Sequence, residues 1–409
     1  MATLPRSEFL NRKTPPHIST LILMTGLSAL AMNIFLPSLP NMAIYFDAPY
    51  RLMQLSVALY LAVNAVLQIL IGPISDKLGR RPVILGGMAV FILASIGCAL
   101  STSAAMFLTF RMVQAGIVVA MVLSRAVVRD MVPQDRAASM IGYVTMGMAI
   151  VPMVGPVFGR MLEQTLGWQA NFWALTIAGL LIFALTWADL GETAGRSGLT
   201  FGQQFREYPI LFRSLRFWGY AGAAALSSGA FFAYLGGAPY VGDHVFGLEP
   251  QELGLYFGAP AVGYFAGNYL SGRYSVEIGV NRMVYWGTLA NMVGIALNLA
   301  LFYAGYGSAL SFFGLMILMG LGNGMTIPNA TAGALSVRPD LAGTASGLAG
   351  AMMIGGGAAL SALAGAWLTP QSGAFPLLWI MLATAVGAVV TILLVMRREA
   401  RLARLGLQT

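Results

Sequence analysis

The chain has 409 residues, of which 58% are hydrophobic, a further 49 are glycine and only 9% are charged, against about a quarter charged in an average soluble domain. Its 23 Lys and Arg and 15 Asp and Glu are too few to cover a soluble globule, and the apolar richness excludes a disordered chain. Apolar residues recur along the whole length, so a single membrane anchor is excluded too. At about 20 residues per spanning helix there is room for about a dozen, and the predicted class is an all-α polytopic membrane protein.

Residues 1–17 are polar and are expected to form a cytoplasmic N-terminal segment. The apolar run starting at Ile18 is too long for the core of a cleavable signal. From there the hydropathy predicts twelve spans at roughly 18–44, 52–74, 82–101, 105–129, 137–162, 168–188, 216–241, 251–272, 282–304, 308–335, 341–367 and 374–396. Turn chemistry punctuates them, as at Asp47-Ala-Pro49, Val132-Pro-Gln-Asp-Arg136, Arg338-Pro339-Asp340 and Thr369-Pro-Gln-Ser-Gly373. The longest polar stretch, 189–215, is expected to be a central cytoplasmic loop. It divides the spans into two pseudo-symmetric six-helix halves, 18–188 and 216–396, followed by a basic cytoplasmic tail at 397–409.

With the N-terminus inside, only Arg51 and Arg160 fall on the outer side and Arg111 falls within a span. The other cations, from Arg6, Arg12 and Lys13 through Arg196 and Arg206 to Arg401 and Arg404, lie on the cytoplasmic side. This asymmetry predicts cytoplasmic termini. It also accounts for the net charge of +8 without nucleic acid, because the cations face an anionic leaflet. The single Cys98 has no partner within the chain for a disulfide.

After span 2 the chain reads Gly72-Pro-Ile-Ser-Asp76-Lys-Leu-Gly79-Arg80-Arg81-Pro82, and after span 8 it reads Gly272-Arg-Tyr-Ser-Val-Glu277-Ile-Gly279-Val-Asn-Arg282. The two glycines keep their spacing, while Val276 stands where the first half has Asp76. A tight loop between spans needs glycine where the backbone reverses, and an Asp beside several Arg can form a charge-assisted latch. Residues 72–81 resemble the loop signature of the major facilitator superfamily.

Span 5 carries Gly142 and then Gly155-Pro156-Val-Phe-Gly159, similar to the glycine-proline element of that superfamily's drug:proton antiporters, with Val151 and Arg160 where the fuller motif has glycines. Physically, Pro156 removes a helix hydrogen bond and Gly155 with Gly159 makes a small face for close packing. Span 4 holds Arg111-Met-Val-Gln114-Ala-Gly116, resembling an Arg-xx-Gln-Gly element with one residue inserted, and ends in Ser124-Arg125-Ala-Val-Val-Arg129-Asp130. That ending, with Leu36-Pro37-Ser-Leu-Pro40, Ala238-Pro239-Tyr240-Val241 and Gly343-Thr-Ala-Ser-Gly347, resembles the Bcr/CflA (bicyclomycin and chloramphenicol resistance) subfamily. The resemblance implies a monomeric alternating-access exporter in the bacterial inner membrane. Its substrate would be a small chloramphenicol-, bicyclomycin- or sulfonamide-like compound, its coupling ion the proton, and it would need no cofactor and no metal.

An ionisable group at membrane depth is a functional candidate by default. Every carboxylate falls in a loop or at a span end, which leaves Arg111, about two turns into span 4. It either snorkels to the near interface or lines a cavity, donating hydrogen bonds to a substrate. In the resembled family this Arg accompanies an acid in span 1, but here Asn33 occupies that place. Asn keeps the hydrogen bonds of Asp and releases no proton. Coupling has therefore moved to an edge carboxylate such as Asp130 or Asp76, or transport runs by another coupling or none, or the chain is an Asn-substituted form. Tyr60, Asn64 and Gln68 form a polar stripe at four-residue spacing on span 2. With Gln114 and with Phe231 and Tyr234 of span 7 they complete the candidate substrate contacts. The glycine pairs Gly263/Gly267, Gly320/Gly324 and Gly343/Gly347 are expected to serve packing only.

An intramembrane hydrolase would need a buried His, paired acids or a metal cluster at depth, and an ATP-driven pump would need a Gly-Lys-Ser/Thr phosphate loop. The sequence offers neither. An uptake or facilitated-diffusion carrier of a small metabolite stays open, as does, more remotely, a receptor.

Overall fold

The computed structural model describes residues 7–194, 209, 211–338, 341–369 and 371–405, and every regular element among them is helical. Arg6, Arg196, Arg206, Pro339, Asp340 and most of the central loop lie outside the described residues. Span 1 is Ile18–Asn33, a tight turn at Leu36–Ser38 and a short helix Leu39–Tyr45; span 2 is Tyr50–Leu78 and span 3 is Arg80–Ala99. Span 4 is Ala104–Gln114 and Val118–Met131, span 5 is Gln134–Leu166 and span 6 is Gln169–Asp189. Span 7 is Leu215–Tyr240, span 8 is Pro250–Phe257 with Ala259–Ile278, span 9 is Val280–Tyr303 and span 10 is Ala309–Leu335. Spans 11 and 12 are Ala342–Trp367 and Phe375–Arg404.

Nine helices among the described residues are long and apolar enough to cross a membrane by length and composition. Spans 7 and 8, outside those nine, dilute their apolar residues with glycine, serine and tyrosine. Arg397 to Arg404 continue the helix of span 12, as expected for a run of Arg, Glu, Ala and Leu with high helix propensity.

The chain forms two compact units. One holds Met1–Val132, Gly147–Phe205 and Arg338–Ala351; the other holds Pro133–Met146, Arg206–Val337 and Met352–Thr409. The beginnings of spans 5 and 11 are thus exchanged relative to the six-plus-six division read from the sequence. Within the first unit, span 3 packs on spans 4 and 6, span 1 on spans 4 and 6, and span 2 on span 4. Within the second, span 10 packs against spans 7, 8 and 9, and span 12 against spans 7 and 9.

The internal repeat is visible in backbone geometry. Gly79 and Gly279 both have positive φ, at 99° and 86°, a region open to glycine at little cost. Each donates its N–H to the serine carbonyl four residues back, Gly79 to Ser75 at 2.9 Å and Gly279 to Ser275 at 3.0 Å. In the second unit Gly263 and Gly267 of span 8 interleave with Gly320 and Gly324 of span 10, where any Cβ would strike a backbone atom of the facing helix. These two pairs serve packing, as expected.

Candidate functional site

Two interruptions in the first unit create the surroundings of Arg111. Pro37 lies in the short turn of span 1 and has no N–H to extend a regular helix. Span 4 tightens at Ala115–Ile117. Both breaks are tied to neighbouring helices: Ser28 Oγ donates to the Ile117 carbonyl at 2.9 Å, and Asn171 Nδ2 of span 6 donates to Ser38 Oγ at 2.9 Å. Phe35, at the break, packs on Phe172 with ring centroids 5.8 Å apart.

Arg111 is completely enclosed by protein, so its side chain does not run to the surface as snorkelling would require. Its guanidinium carbon lies over two rings, 3.9 Å from the Tyr60 centroid and 4.3 Å from that of Phe35. Such cation–π contacts stabilise by about 0.5–2 kcal/mol each, more when desolvated. One edge donates to Gln114 Oε1, three residues on and therefore on the same helix face. Gln114 Nε2 then donates to Ser95 Oγ of span 3 at 2.7 Å, and Ser95 donates to the Phe91 carbonyl at 2.8 Å. Arg111 Nε and the Tyr60 hydroxyl are buried without a hydrogen-bond partner among the described residues.

The predicted substrate contacts separate on this evidence of position. Tyr60, Arg111 and Gln114 come together. Asn64 and Gln68, on the same stripe, instead bond to each other, Gln68 Nε2 donating to Asn64 Oδ1 at 2.7 Å. Gln68 also lies against Gly347 and Gly350 of span 11. Asn33 donates to the Ala29 carbonyl of its own helix at 2.8 Å, and Gly155 and Gly159 of span 5 pack on it and on the Ile34 backbone. Phe231 and Tyr234 belong to the second unit. There the Tyr234 ring stacks on Phe257 at 5.1 Å and its hydroxyl donates to the Phe257 carbonyl at 3.0 Å, within an apolar cluster with Phe312 and Phe313.

At the end of the first unit that carries basic loops, Asp76 meets the start of span 11. Its Oδ1 accepts from the Gly343 N–H at 3.1 Å, and its Oδ2 accepts from the Thr344 N–H at 3.0 Å and hydroxyl at 2.8 Å. A carboxylate on the first N–H groups of a helix answers its unpaired donors and its dipole. Arg80, which is 2% exposed, bridges Asp76 and Asp130 and also donates to Ser75 Oγ at 2.7 Å. Arg81 donates to the Trp187 carbonyl at 3.0 Å, and Arg129 to the Val132 carbonyl at 3.3 Å. Gly343 is therefore more than a packing residue, because its N–H is one of the donors to Asp76.

Sequence reading missed three participants. Phe35 was only a landmark beside Leu36-Pro37, and Ser95 had no signal beyond being polar in an apolar span. Glu192, in the polar loop after span 6, accepts from the backbone N–H of Arg80 at 2.8 Å and of Arg81 at 3.3 Å. It caps span 3 beside the latch.

Long apolar helices, a buried guanidinium against two rings, and a buried Asp76–Arg80–Asp130 network at the ends of spans 2 and 4 are features of polytopic membrane carriers. The sequence matches the Major Facilitator Superfamily over residues 21–362 and, in an overlapping match, over 244–407; the chain belongs to that superfamily. It is 32% identical to a chloramphenicol resistance protein of Pseudomonas aeruginosa, over 78% of this chain and 76% of the relative. It is 28% identical to a bicyclomycin resistance protein homolog of Haemophilus influenzae, over 85% of this chain and 88% of the relative. In fold it is similar to the human organic anion transporter MFSD10, with a TM-score of 0.71 at 18% identity, covering 92% of this chain and 98% of the other. The resemblance to the Bcr/CflA group is borne out by these relatives, and the chain is a multi-pass membrane transporter.

Proposed function

We propose that this chain exports small drug-like compounds across the bacterial inner membrane by alternating access, in exchange for protons, with both termini in the cytoplasm. The resistance-protein relatives support the substrate class. The observation that carries the transport mechanism is the latch. Span 2 and span 11 belong to different six-helix halves of the sequence, yet Asp76 joins them through three hydrogen bonds. Alternating access needs contacts between the halves that hold one state and release in the other, and a charge-stabilised helix start can do this without rearranging a core. Arg81, Arg129, Asp130 and Glu192 brace it. Tyr60, Arg111 and Gln114 are assigned to the substrate, while Gly155, Pro156 and Gly159 let span 5 move against the broken span 1.

Facilitated transport without a proton has one observation in its favour: Asn33 stands where the family has an acid, and its amide bonds to its own helix. Transport in proteoliposomes under an imposed pH gradient, with chloramphenicol and a sulfonamide as probes, separates the two. Antiport gives a rate that falls when the gradient is collapsed and reverses with it; an unchanged rate rules proton exchange out.

A further inference from the structure

Arg80 and Arg111 are both buried cations of the first unit, 2% and 0% exposed, and the protein treats them in opposite ways. Arg80 has two carboxylates, Asp76 and Asp130. Arg111 has no carboxylate partner among the described residues; its surroundings are two ring faces and a neutral amide. Burying a charge without a counter-charge is costly, and ring quadrupoles with one amide offset only part of that cost. The geometry also defines where a counter-charge must sit. The guanidinium carbon lies over the Tyr60 and Phe35 rings and Gln114 takes Nη1, while the buried Nε–H lacks an acceptor among the described residues. A carboxylate binds Arg in the guanidinium plane, through parallel N–H bonds along one edge, so the Nε edge is the remaining docking position. The buried Tyr60 hydroxyl is also without a partner among the described residues.

We propose that the substrate brings the missing negative charge: Arg111 is a specificity residue for an anionic group, a carboxylate or sulfonate, on an otherwise apolar small molecule. This rests on the assignment of Arg111 to the substrate made above and narrows it. No carboxylate among the described residues pairs with the guanidinium, so the neutralising group arrives with each substrate. The flanking rings favour a planar anion on an aromatic body, and the enclosure excludes water that would screen the pair.

The test uses the purified full-length protein in detergent for binding and in proteoliposomes for transport. The probes are chloramphenicol hemisuccinate, a monoanion at neutral pH, its methyl ester, matched in size and uncharged, and chloramphenicol itself. The hemisuccinate is expected to bind at least tenfold more tightly than the ester. Arg111→Gln is expected to bring that ratio to about one, and Arg111→Lys, which keeps the charge and loses the planar edge, to leave a preference of a few fold. Equal binding of the two probes by the unmodified protein overturns the proposal without reference to any variant. So does a preference that survives Arg111→Gln. Export of chloramphenicol with no preference for the anion leaves the exporter assignment standing and removes anion recognition. An Arg111-dependent preference without export does the reverse, and binding of none of the probes overturns both.

Discussion

Asp76→Asn is the sharpest perturbation of the latch, because it keeps shape and removes charge. Three donors from the start of span 11 end on this carboxylate, at 2.8–3.1 Å, and Arg80 takes a fourth contact. Hydrogen bonds to an ionised acceptor contribute about 1.5–3 kcal/mol and neutral ones about 0.5–1.5, so removing the charge weakens each bond by about 1 kcal/mol. The new NH2 must also face either the Gly343 and Arg80 donors or the two donors of Thr344, a donor-against-donor contact. Together these place the loss at about 3 kcal/mol, about a hundredfold in the ratio of latched to open states at 1.4 kcal/mol per decade. Hydrogen exchange of a peptide covering the start of span 11 reads this directly, with faster exchange expected at Gly343 and Thr344. Transport turnover should fall at least tenfold while chloramphenicol binding in detergent stays within about twofold. Unchanged protection at those two amides would falsify the latch, and loss of binding in proportion to transport would show unfolding instead.

Asn33→Asp restores an ionisable group to span 1, and the transport rate is expected to acquire a steeper pH dependence; no change removes span 1 from coupling. Gly159→Ala sets a Cβ against the Ile34 carbonyl, an overpacking of about 1–3 kcal/mol expected to lower the apparent Tm in detergent. Gly86→Ala, where an added Cβ would meet nothing within 4 Å beyond its own stretch of helix backbone, is the control and should be neutral or stabilise by up to about 1 kcal/mol. Asp189→Asn is expected to loosen the N-terminal segment. The buried Asp189 carboxylate accepts from Leu10 N–H at 2.7 Å, His17 N–H at 2.8 Å and Thr20 Oγ1 at 2.6 Å, so limited proteolysis before Ile18 should speed up, and an unchanged digestion rate counts against that role.

The spans were legible because a spanning helix needs a long apolar run, and any Arg inside such a run stands out. That is why Arg111 could be named from sequence. Its stacking partner Phe35 could not, because the contact depends on where Pro37 breaks span 1 and on how span 4 is rotated. The Tyr60, Asn64 and Gln68 stripe was legible as one face, since spacing fixes the face of a helix. What the face meets was not: Tyr60 lies on Arg111, whereas Gln68 lies against Gly347 and Gly350, far along the chain. Phe231 and Tyr234 share a face as expected, yet Tyr234 is spent on the Phe257 carbonyl and an apolar cluster. Glu192 had no periodic or compositional mark to set it apart from other loop acids. The tail at 397–409 was legible as a run of charge, and that its first residues continue the span 12 helix fits the helix propensity of Arg, Glu, Ala and Leu.

The scarcity of charge ties the latch to the substrate site in one physical argument. In a medium where each buried ion must be answered, Arg80 is held by Asp76 and Asp130, and Asp76 is answered in turn by the start of span 11. That network is closed within the protein and opens only by moving a helix. Arg111 is answered among the described residues by rings and a neutral amide, and in the proposal made above the substrate completes its network. A ligand can shift a conformational equilibrium only through a difference in its affinity for the two states. A charged ligand at an unneutralised guanidinium can supply several kcal/mol of such a difference, comparable to the ~3 kcal/mol assigned to Asp76 in holding span 11. In that proposal the two arginines set opposing terms, one favouring the latched state and the other rewarding occupancy, and a carrier turns over when such terms are of similar size.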